Sequence, residues 1–325
     1  MKTRVVYTLV SDAADSYLEQ LMVSAYSLQS HNPSVDIVIV TDRTTCQSLT
    51  GDRANIKEFA NEVVEVDTPF PTNKMLSSRY LKTNLRNLIS GDYLFIDCDT
   101  IICESLDNID YFEGDIGMVS DLNATNSLTD SNIITKCERA GFVGMEGKPY
   151  FNSGVIFARD TDMAHEFYSL WYESWKISVT NGVPNDQPAL CAANIQQGYP
   201  VRELSGEWNC QFKFYGSAFL NVAKIMHYFS NTEYAQPPYS QRRIFEYVKE
   251  KGCIDSSVEK LILNPRTIFY TALTITPDKA FEFFNSEMMY YFFNVPPLYR
   301  MMCLMARRLE RPLLFLSKFK TKLIR

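Results

Sequence analysis

The sequence has no uninterrupted apolar run of about 18 residues, the length that a membrane-spanning helix requires. Its first residues, MKTRVVYTLVSDAADSY, contain no apolar stretch with a cleavage site of the signal-peptide type. Eight cysteines are present, but none forms a CxxC pair or the spacing of a disulfide framework. Together these absences predict a reduced chain in the cytoplasm.

Charge is unevenly distributed along the chain. The 325 residues carry a formal net charge of −6, whereas residues 296–325 contain eight Lys or Arg and one Glu, so this tail is +7 and the remainder −13. A basic tail rich in Leu and Phe predicts either an interfacial helix on an anionic membrane or a packed helix with a solvated basic face. Because the remainder is acidic and lacks a basic, aromatic-interleaved groove, nucleic acid is not an expected partner.

Strand and helix patterns alternate over the first hundred residues. Apolar residues at helical spacing predict helices that include 18–28 and 81–89. Short apolar runs predict strands at 4–10, 35–42, 61–67 and 93–99. This alternation predicts βαβ units, hence an α/β fold with a Rossmann-like, mostly parallel central sheet and flanking helices. In such sheets ligands bind beyond the carboxyl ends of the strands.

The rest of the chain has a more mixed pattern. We expect strands at 115–122, 150–160 and 223–230, with loop-like sequence between the first two, and helices around 163–171 and within VPNDQPALCAANIQQ and SQRRIFEYVKEK. Beyond about residue 255 aromatic, Met-rich helical sequence follows. The chain is therefore divided into a main domain over 1–255 and a helical C-terminal extension over 256–325 that ends in the basic tail, 296–325.

Two carboxylates, Asp97 and Asp99, end the apolar run YLFIDCDTII at 93–102. Residues i and i+2 of a strand point to one side, so both carboxylates can face the same place. They would repel each other unless they held a cation or shared a proton. Mg²⁺ and Mn²⁺ prefer oxygen ligands and commonly retain phosphate oxygens. The pair therefore predicts a metal–diphosphate site, with a solvated turn as the alternative.

Two classes of enzyme use such a pair. Haloacid-dehalogenase-like phosphatases end an apolar strand in DxDx[TV], with the first Asp as nucleophile, and FIDCDTI is close to that pattern. Nucleotide-sugar glycosyltransferases of the GT-A type use a DxD to hold a metal against the donor diphosphate. A phosphatase would place this strand near the start of its domain and an acidic cluster such as GDxxxD downstream. About ninety residues precede the motif here and no such cluster follows, which favours the transferase.

Six segments between Val5 and about Tyr228 carry a more specific resemblance: VYTLVSDAADSYLEQLMVSAYSL, SSRYLKTNL, YLFIDCDTII, YFNSGVIFAR, NDQPAL and IMHYFS. In their order they resemble family 8 glycosyltransferases, in particular the bacterial branch that decorates surface polysaccharides. The resemblance implies a GT-A fold and transfer of a sugar from a nucleoside diphosphate, with UDP-hexose or UDP-N-acetylhexosamine favoured. It also implies retention of configuration and Mn²⁺ (or Mg²⁺) as metal.

The resemblance further implies a saccharide or lipid-linked saccharide as acceptor, in the biosynthesis of surface polysaccharide. A lipid-linked acceptor would suit a protein held peripherally on the inner face of the cell membrane by its tail.

Roles for individual residues follow from the same resemblance. The metal ligands would be Asp97, Asp99 and His227, with Asp97 shared with the ribose, although a lone His in a short strand is otherwise a structural residue. The base and ribose would contact the loop after the first strand, at Thr8, Leu9, Asp12 and Tyr17. For Tyr17, packing at the start of the helix is an equal alternative.

The segment SSRYLKTNLRN places Arg79, Lys82 and Arg86 in one sector of a helix. Arg79 matches the family's arginine that reaches toward the donor and the DxD loop, and a guanidinium suits phosphate oxygens. A charged stripe is typical of a solvated face, and we expect Lys82 and Arg86 to belong to one. Lys82 is also retained as a candidate donor contact.

Two further segments would complete the donor site. YFNSGV supplies Asn152 near the donor sugar, with Ser153 and Gly154 allowing close backbone approach. NDQPAL supplies Asp186, which would bind donor-sugar hydroxyls or simply cap a helix, and Gln187, near the reacting carbon. Arg79, Asp186 and Gln187 are thus the catalytic candidates.

Trp208 and Gln211, in GEWNCQF, line either the acceptor side or the core.

The sequence departs from the family after its histidine. The family often continues as HxxGxxKPW, whose Gly and Lys hold the diphosphate, whereas this chain has HYFSNTEYAQPP, with Ser230 in place of the Gly and no lysine. Phosphate charge would then be neutralised by Arg79, Lys224 or the segment 241–243. This departure leaves a catalytically silent nucleotide-sugar-binding protein as an alternative beside the phosphatase.

Overall fold

The computed structural model describes residues 1–211, 215–228 and 241–263, with four single positions between 297 and 308. Seven strands of the central sheet and two of a small second sheet lie in these ranges. In chain order the strands are β1 Arg4–Leu9, β2 Ile37–Asp42, β3 Glu62–Val66, β4 Tyr93–Ile96, β5 Thr100–Ile102, β6 Ile116–Ser120, β7 Phe151–Ala158, β8 Val201–Glu203 and β9 Ile225–His227.

The central sheet has the strand order β3-β2-β1-β4-β7-β6-β8. Strands β3, β2, β1 and β4 are parallel, β7 runs antiparallel to both of its neighbours, and β8 is parallel to β6. The predicted α/β fold with a mostly parallel sheet is therefore confirmed. Because β7 is reversed, its first residues lie beside the carboxyl end of β4. Strands β5 and β9 form the second sheet as an antiparallel pair.

Helices cover both faces of the central sheet. They are α1 Tyr17–His31, α2 Arg43–Ser48, α3 Lys74–Thr83, α4 Leu85–Leu88, α5 Ser131–Arg139, α6 Asp162–Thr180, α7 Gln187–Gln196, α8 Gln241–Lys251 and α9 Ser256–Ile262. Alternate residues of β1 face different layers: Val5 and Tyr7 pack in a core with α1, α8 and α9, whereas Val6 packs in a core with α3, α6 and α7. The period-2 alternation of a strand thus divides the apolar residues between two layers.

Within the described ranges the predicted elements are present, with two differences. The helix expected over 81–89 is divided at Asn84 into α3 and α4, so its residues do not follow one helical sector. Part of the segment expected to be loop-like, between the strands at 115–122 and 150–160, is the helix α5. Asp130 begins α5 because its carboxylate accepts hydrogen bonds from the backbone N–H groups of Asn132 and Ile133.

The prediction of a solvated face for Lys82 and Arg86 is wrong. Lys82 is 2% exposed and Arg86 1% exposed, since each meets acceptors that compensate its buried charge. Lys82 bonds to a carboxylate described below. Arg86 donates to the backbone carbonyls of Ile89, Gly91 and Arg159, and its guanidinium lies 4.6 Å from the centre of the Tyr93 ring.

The described end of the chain packs on the main core. Ile244 and Val248 of α8 and Val258 and Ile262 of α9 are buried together with α1 and β1. The proposed division at residue 255 remains a prediction, and the extension beyond 263, with its basic tail, lies outside the described residues apart from the four single positions. Among the helices that the structure describes, none has the length and hydropathy of a membrane span.

Candidate metal and donor site

The turn between β4 and β5 carries the two aspartates of the DxD motif. The backbone N–H of Asp97 donates to the carbonyl of Gly154 (2.8 Å), so the turn stays attached to β7. The hydroxyl of Thr100 closes the turn by donating to the carbonyl of Asp97 (2.9 Å). Side chains at this position lie at the carboxyl end of β4, where a parallel sheet receives its ligand.

His227 is brought to the same turn by the second sheet. It is the last residue of β9, and it pairs with Thr100, one residue after Asp99. Its Nε2 lies 3.2 Å from Oδ1 of Asp99. One ligand atom each of Asp97, Asp99 and His227 lies within 4.8 Å of the others. The three residues predicted as metal ligands are therefore assembled in one place.

The imidazole of His227 is enclosed on its other side by small or polar groups. Its Nδ1 lies 3.0 Å from Oδ1 of Asn209, which is fully buried. A Cβ added to Gly154 would lie 2.8 Å from this Nδ1 and closer still to Cε1. Gly154 is thus required by the close approach of the ring, which is a more specific reason than the backbone approach to a donor predicted from the sequence.

A buried lysine lies directly beneath the aspartate turn. Nζ of Lys82 donates to both carboxylate oxygens of Asp97 (2.9 and 3.1 Å) and lies 3.4 Å from the hydroxyl of Ser153. The same Nζ is 3.9 Å from Oδ2 of Asp186. Its charged neighbours are the carboxylates of Asp97 and Asp186, so Lys82 offsets their negative charge from the protein interior.

Asp186 links this lysine to Arg79. The hydroxyl of Ser153 donates to Oδ2 of Asp186 (2.8 Å), and Nε of Arg79 lies 2.9 Å from Oδ1, as an ion pair without hydrogen-bond alignment. Burial alone would raise the pKa of Asp186, but the charges of Arg79 and Lys82 outweigh burial and lower it. The pKa of Arg79 is raised, first by Asp186 and then, against burial, by Asp97 and Asp99.

Asp186 occupies the N-cap position of α7, yet its side chain makes no capping hydrogen bond. The simple capping role considered from the sequence is therefore not what its carboxylate does.

Asp121, at the carboxyl end of β6, is a site residue that the sequence interpretation missed. Its Oδ1 accepts from Nδ2 of Asn152 (3.0 Å), and the Gln187 amide lies close enough to favour its charged form. Burial nevertheless dominates and raises the pKa of Asp121. Its place in DIGMVSDL, where a predicted strand ends, was the available signal.

The backbone directly after Asp121 is held by a buried glutamine. Leu122 and Asn123 both adopt positive φ (59° and 52°). Gln211 accepts from the N–H of Leu122 (2.7 Å), donates from its backbone to Oδ1 of Asn123 (2.7 Å), and donates from Nε2 to the carbonyl of Ser120 (3.0 Å). Gln211 is therefore a buried support of this turn, and Trp208 is likewise part of the core.

The end of β1, the loop that follows it and the first residue of α1 contain the residues predicted to contact the base and ribose. Tyr17 is partly exposed and close enough to Arg79 to influence its pKa. Oδ2 of Asp12 accepts from Nζ of Lys74 (2.8 Å). Leu9 is fully buried and offers a ligand only its backbone, whereas Thr8 is half-buried and its carbonyl accepts from the Cys98 thiol.

The predicted sources of phosphate-neutralising charge are not equivalent. Arg79 lies in the site, with its side chain 31% exposed. Lys224 directly precedes β9, and its Nζ lies 5.4 Å from the centre of the Trp208 ring. Ser230 and the side chains of residues 241–243 lie outside the described residues.

The described site has an excess of negative charge. The site contains four carboxylates, those of Asp97, Asp99, Asp121 and Asp186, and two cations, Lys82 and Arg79. Carboxylate oxygens with one imidazole nitrogen suit Mn²⁺ well, and Mg²⁺ less well because of the imidazole. The residues present therefore fit a divalent cation held by Asp97, Asp99 and His227.

Comparison with known proteins identifies the family of the chain. The model of glycosyl transferase family 8 matches residues 8–233, which is 226 of the 325 residues. A search of the curated proteins found no match.

Solved structures show the fold. Mouse xyloside xylosyltransferase 1 in its apo form has a TM-score of 0.50 at 16% identity, over 73% of this chain and 99% of that one. The galactosyltransferase LgtC, in complex with donor and acceptor sugar analogues, has a TM-score of 0.53 at 15% identity, over 79% of this chain and 99% of LgtC. The glycosyltransferase GlyE of Streptococcus pneumoniae has a TM-score of 0.51 at 17% identity, over 81% of this chain and 63% of GlyE.

The family match excludes the phosphatase alternative, because it covers both aspartates of the motif and His227 in a family of sugar transferases. The chain belongs to glycosyl transferase family 8 and is a glycosyltransferase with the GT-A fold.

Proposed function

We propose that the protein is a metal-dependent, retaining glycosyltransferase that moves a hexose or N-acetylhexosamine from a nucleoside diphosphate, UDP in the first instance, to a saccharide acceptor. The observation that carries the proposal is the assembly of Asp97, Asp99 and His227 within 4.8 Å at the carboxyl end of β4. Two aspartates and a histidine at this place would hold Mn²⁺ in contact with a diphosphate.

A divalent cation bound there would stabilise the negative charge that develops on the diphosphate as the anomeric C–O bond loosens. The protein's own contribution is to keep the ligands in place. Lys82 fixes the carboxylate of Asp97 with two hydrogen bonds from a fully buried position. A ligand fixed before the donor arrives needs no reorganisation during the reaction.

Arg79 is the side chain that we propose to replace the missing lysine of the family pattern. Its guanidinium is held by Asp186 on one edge and remains partly exposed in the site. A planar guanidinium can bind two phosphate oxygens at once. Because Lys82 is occupied by Asp97 and Lys224 lies against Trp208, Arg79 is the cation best placed to reach a diphosphate.

The reacting sugar is proposed to lie over Asp186, Gln187, Asn152 and Asp121. An amide oxygen is barely basic, so Gln187 is a poor nucleophile, and we propose attack on the same face with the leaving diphosphate taking the acceptor's proton. The buried Nε2 of Gln187 lies near Asp121 but makes no well-aligned hydrogen bond within the described ranges, so it can donate to a sugar hydroxyl. Asp121 can accept a hydrogen bond from a second hydroxyl.

For the acceptor, we propose a saccharide or lipid-linked saccharide of a surface polysaccharide, with residues 296–325 contacting an anionic membrane. The composition of the tail supports this part of the proposal. The test is partition between supernatant and anionic vesicles, with and without residues 296–325. The two forms should differ, and equal partition would contradict the membrane contact.

The experiment for the catalytic proposal is a screen of UDP-, GDP-, CDP- and dTDP-sugars that measures release of the nucleoside diphosphate. Release should require Mn²⁺ or Mg²⁺ and should be lost in Asp99→Ala, with Asp115→Ala, a change in the residue before β6, as the matched control. A protein that binds a nucleotide sugar with metal yet never releases it would be the catalytically silent binder instead. Slow release to water without an acceptor would already support the transferase.

A further inference from the structure

Asn209 contacts His227 from the side opposite the aspartates. Asn209 is fully buried, and His227 is 3% exposed. In a neutral imidazole one nitrogen carries hydrogen and the other carries a lone pair. Only a nitrogen with a lone pair can bind a metal ion. The proton must therefore be on Nδ1 if Nε2, which faces Asp99, is the ligand.

A chain of hydrogen bonds that begins at a backbone N–H determines which nitrogen of His227 carries the proton. The N–H of Gly154 is always a donor, and it bonds to Oδ1 of Asn152 (2.9 Å). The Asn152 amide is therefore oriented, and its Nδ2 donates in the other direction, to Asp121. Oδ1 of Asn152 also lies 2.9 Å from the Asn209 amide, which must present Nδ2 there, because an oxygen would repel it.

The orientation of Asn209 then decides the proton on His227. With Nδ2 turned toward Asn152, Oδ1 of Asn209 faces Nδ1 of His227 at 3.0 Å. An amide oxygen only accepts, so Nδ1 must carry hydrogen and donate. In the neutral ring Nε2 keeps its lone pair, and this nitrogen points to Oδ1 of Asp99 at 3.2 Å. The proton is therefore on the nitrogen away from the metal ligands.

The other tautomer would have an attraction of its own. A hydrogen on Nε2 could be donated to the carboxylate of Asp99, and the lone pair toward the metal position would then be lost. Asn209 opposes this arrangement, because it would leave a buried amide oxygen facing a nitrogen lone pair. An unmatched buried acceptor costs about 1–3 kcal/mol. The carboxylate of Asp99 is 20% exposed, so water or a bound cation can compensate it, whereas the amide oxygen of the fully buried Asn209 has no such compensation.

We propose that Asn209 is a positioning residue that holds His227 as the Nδ1–H tautomer and so keeps Nε2 available as a metal ligand. The proposal rests on the metal site described under the proposed function. It assigns the chain Gly154, Asn152, Asn209 a role in metal binding without contact with the metal. Partners of this kind typically change metal affinity about 10–100-fold.

The first test uses side-chain ¹⁵N–¹H NMR of the metal-free, full-length protein, recorded at increasing pH until the ring signals no longer change. The chain has three histidines, so the His227 signals are assigned by their loss in His227→Gln. We expect a protonated Nδ1 and an unprotonated Nε2. A protonated Nε2 in the wild-type protein would overturn the proposal without any variant.

The second test compares Mn²⁺ affinity, measured by EPR, in three variants. Asn209→Leu removes the acceptor at similar volume and should weaken binding about 10–100-fold. Asn209→Asp keeps an acceptor for Nδ1–H but turns its second oxygen toward Oδ1 of Asn152, so it should bind Mn²⁺ more tightly than Asn209→Leu and less tightly than the wild-type protein. The control is Asn194→Leu, at a buried asparagine of α7 whose Oδ1 accepts from Val201; it should leave affinity unchanged.

Equal affinity of Asn209→Leu and Asn194→Leu would overturn the proposal. A wild-type protein that binds no Mn²⁺ would instead contradict the metal site itself, while the NMR measurement would still decide the tautomer. The two failures are therefore distinguishable.

Discussion

Replacing Lys82 with Met tests the idea that a buried cation supports the aspartate turn. Met keeps most of the chain length and the packing on Phe95, whose ring centre lies 4.8 Å from Nζ. The change removes two hydrogen bonds to Asp97 and the charge 3.9 Å from Asp186. Removing one partner of a buried pair usually costs about 3–5 kcal/mol. Asp97 is 28% exposed and can regain water, so we expect about 3 kcal/mol.

That loss corresponds to a melting temperature about 4 °C lower, because the entropy of unfolding is about 2.1 cal/mol/K per residue and the chain has 325 residues. The assay is urea unfolding in the presence of a chelator. The matched control is Lys176→Met, because Lys176 is 47% exposed on α6 and pairs with Glu173 one turn away. A surface pair of this kind contributes about 0–1 kcal/mol. A Lys82→Met protein as stable as the control would refute the reasoning.

Adding Mn²⁺ gives the same variant a second readout. Without Lys82, the carboxylates of Asp97 and Asp186 lose a neighbouring positive charge, so a divalent cation should bind more tightly. We therefore expect Mn²⁺ to raise the free energy of unfolding more in Lys82→Met than in the wild-type protein. A smaller effect in the variant would show that Lys82 does not offset the charge of the metal ligands.

For three further substitutions the structure predicts whether stability or Mn²⁺ affinity rises or falls. The pKa of Asp186 is lower in the folded protein than its unfolded value near 3.8. Its ion pairs therefore stabilise the fold at any pH above that unfolded value, and this stabilisation is lost as the pH falls through the lower pKa of the folded state. Asp186→Asn should therefore cost about 3 kcal/mol at pH 7 and flatten the acid dependence of urea unfolding. The pKa of Asp121 is raised, so its ionised carboxylate destabilises the fold at pH values above its unfolded value near 3.8. Asp121→Asn should therefore raise the free energy of unfolding by about 1 kcal/mol at pH 7 and change it little at acid pH. The same variant should lose sugar transfer. Gly154→Ala should displace His227 and weaken Mn²⁺ binding measured by EPR, whereas Gly182→Ala, with nothing near its added Cβ, should not. An Asp121→Asn protein less stable at pH 7, or a Gly154→Ala protein with normal Mn²⁺ affinity, would contradict the geometry described.

The sheet could be predicted from the sequence because burial on both faces leaves continuous apolar runs. The strands at 4–10 and 35–42 correspond to β1 and β2 within two residues. The aspartate pair was recognisable for the opposite reason, since charge at the end of an apolar strand is unusual. A local sequence pattern is therefore enough to predict an element when the burial of its residues follows from that element alone.

The burial of Lys82 could not be predicted from local pattern, because its partners Asp97, Ser153 and Asp186 come from three other segments. Helical spacing alone describes an isolated helix, and an isolated charged stripe is solvated. Asn209 presents the same difficulty, since its importance depends on Asn152 and His227, which are distant in sequence.

The central claim is that Asp97, Asp99 and His227 hold a divalent cation against a nucleoside diphosphate, and thermal unfolding with UDP, GDP, CDP and dTDP tests it most directly. Each nucleotide is measured with Mn²⁺ and with a chelator. A ligand at 100 times its dissociation constant stabilises by about 2.7 kcal/mol, which is readily detected. We expect one nucleotide to raise the melting temperature only with Mn²⁺, and Asp99→Ala to abolish the shift. A shift that persists with chelator or in Asp99→Ala, or none with any nucleotide, would contradict the claim.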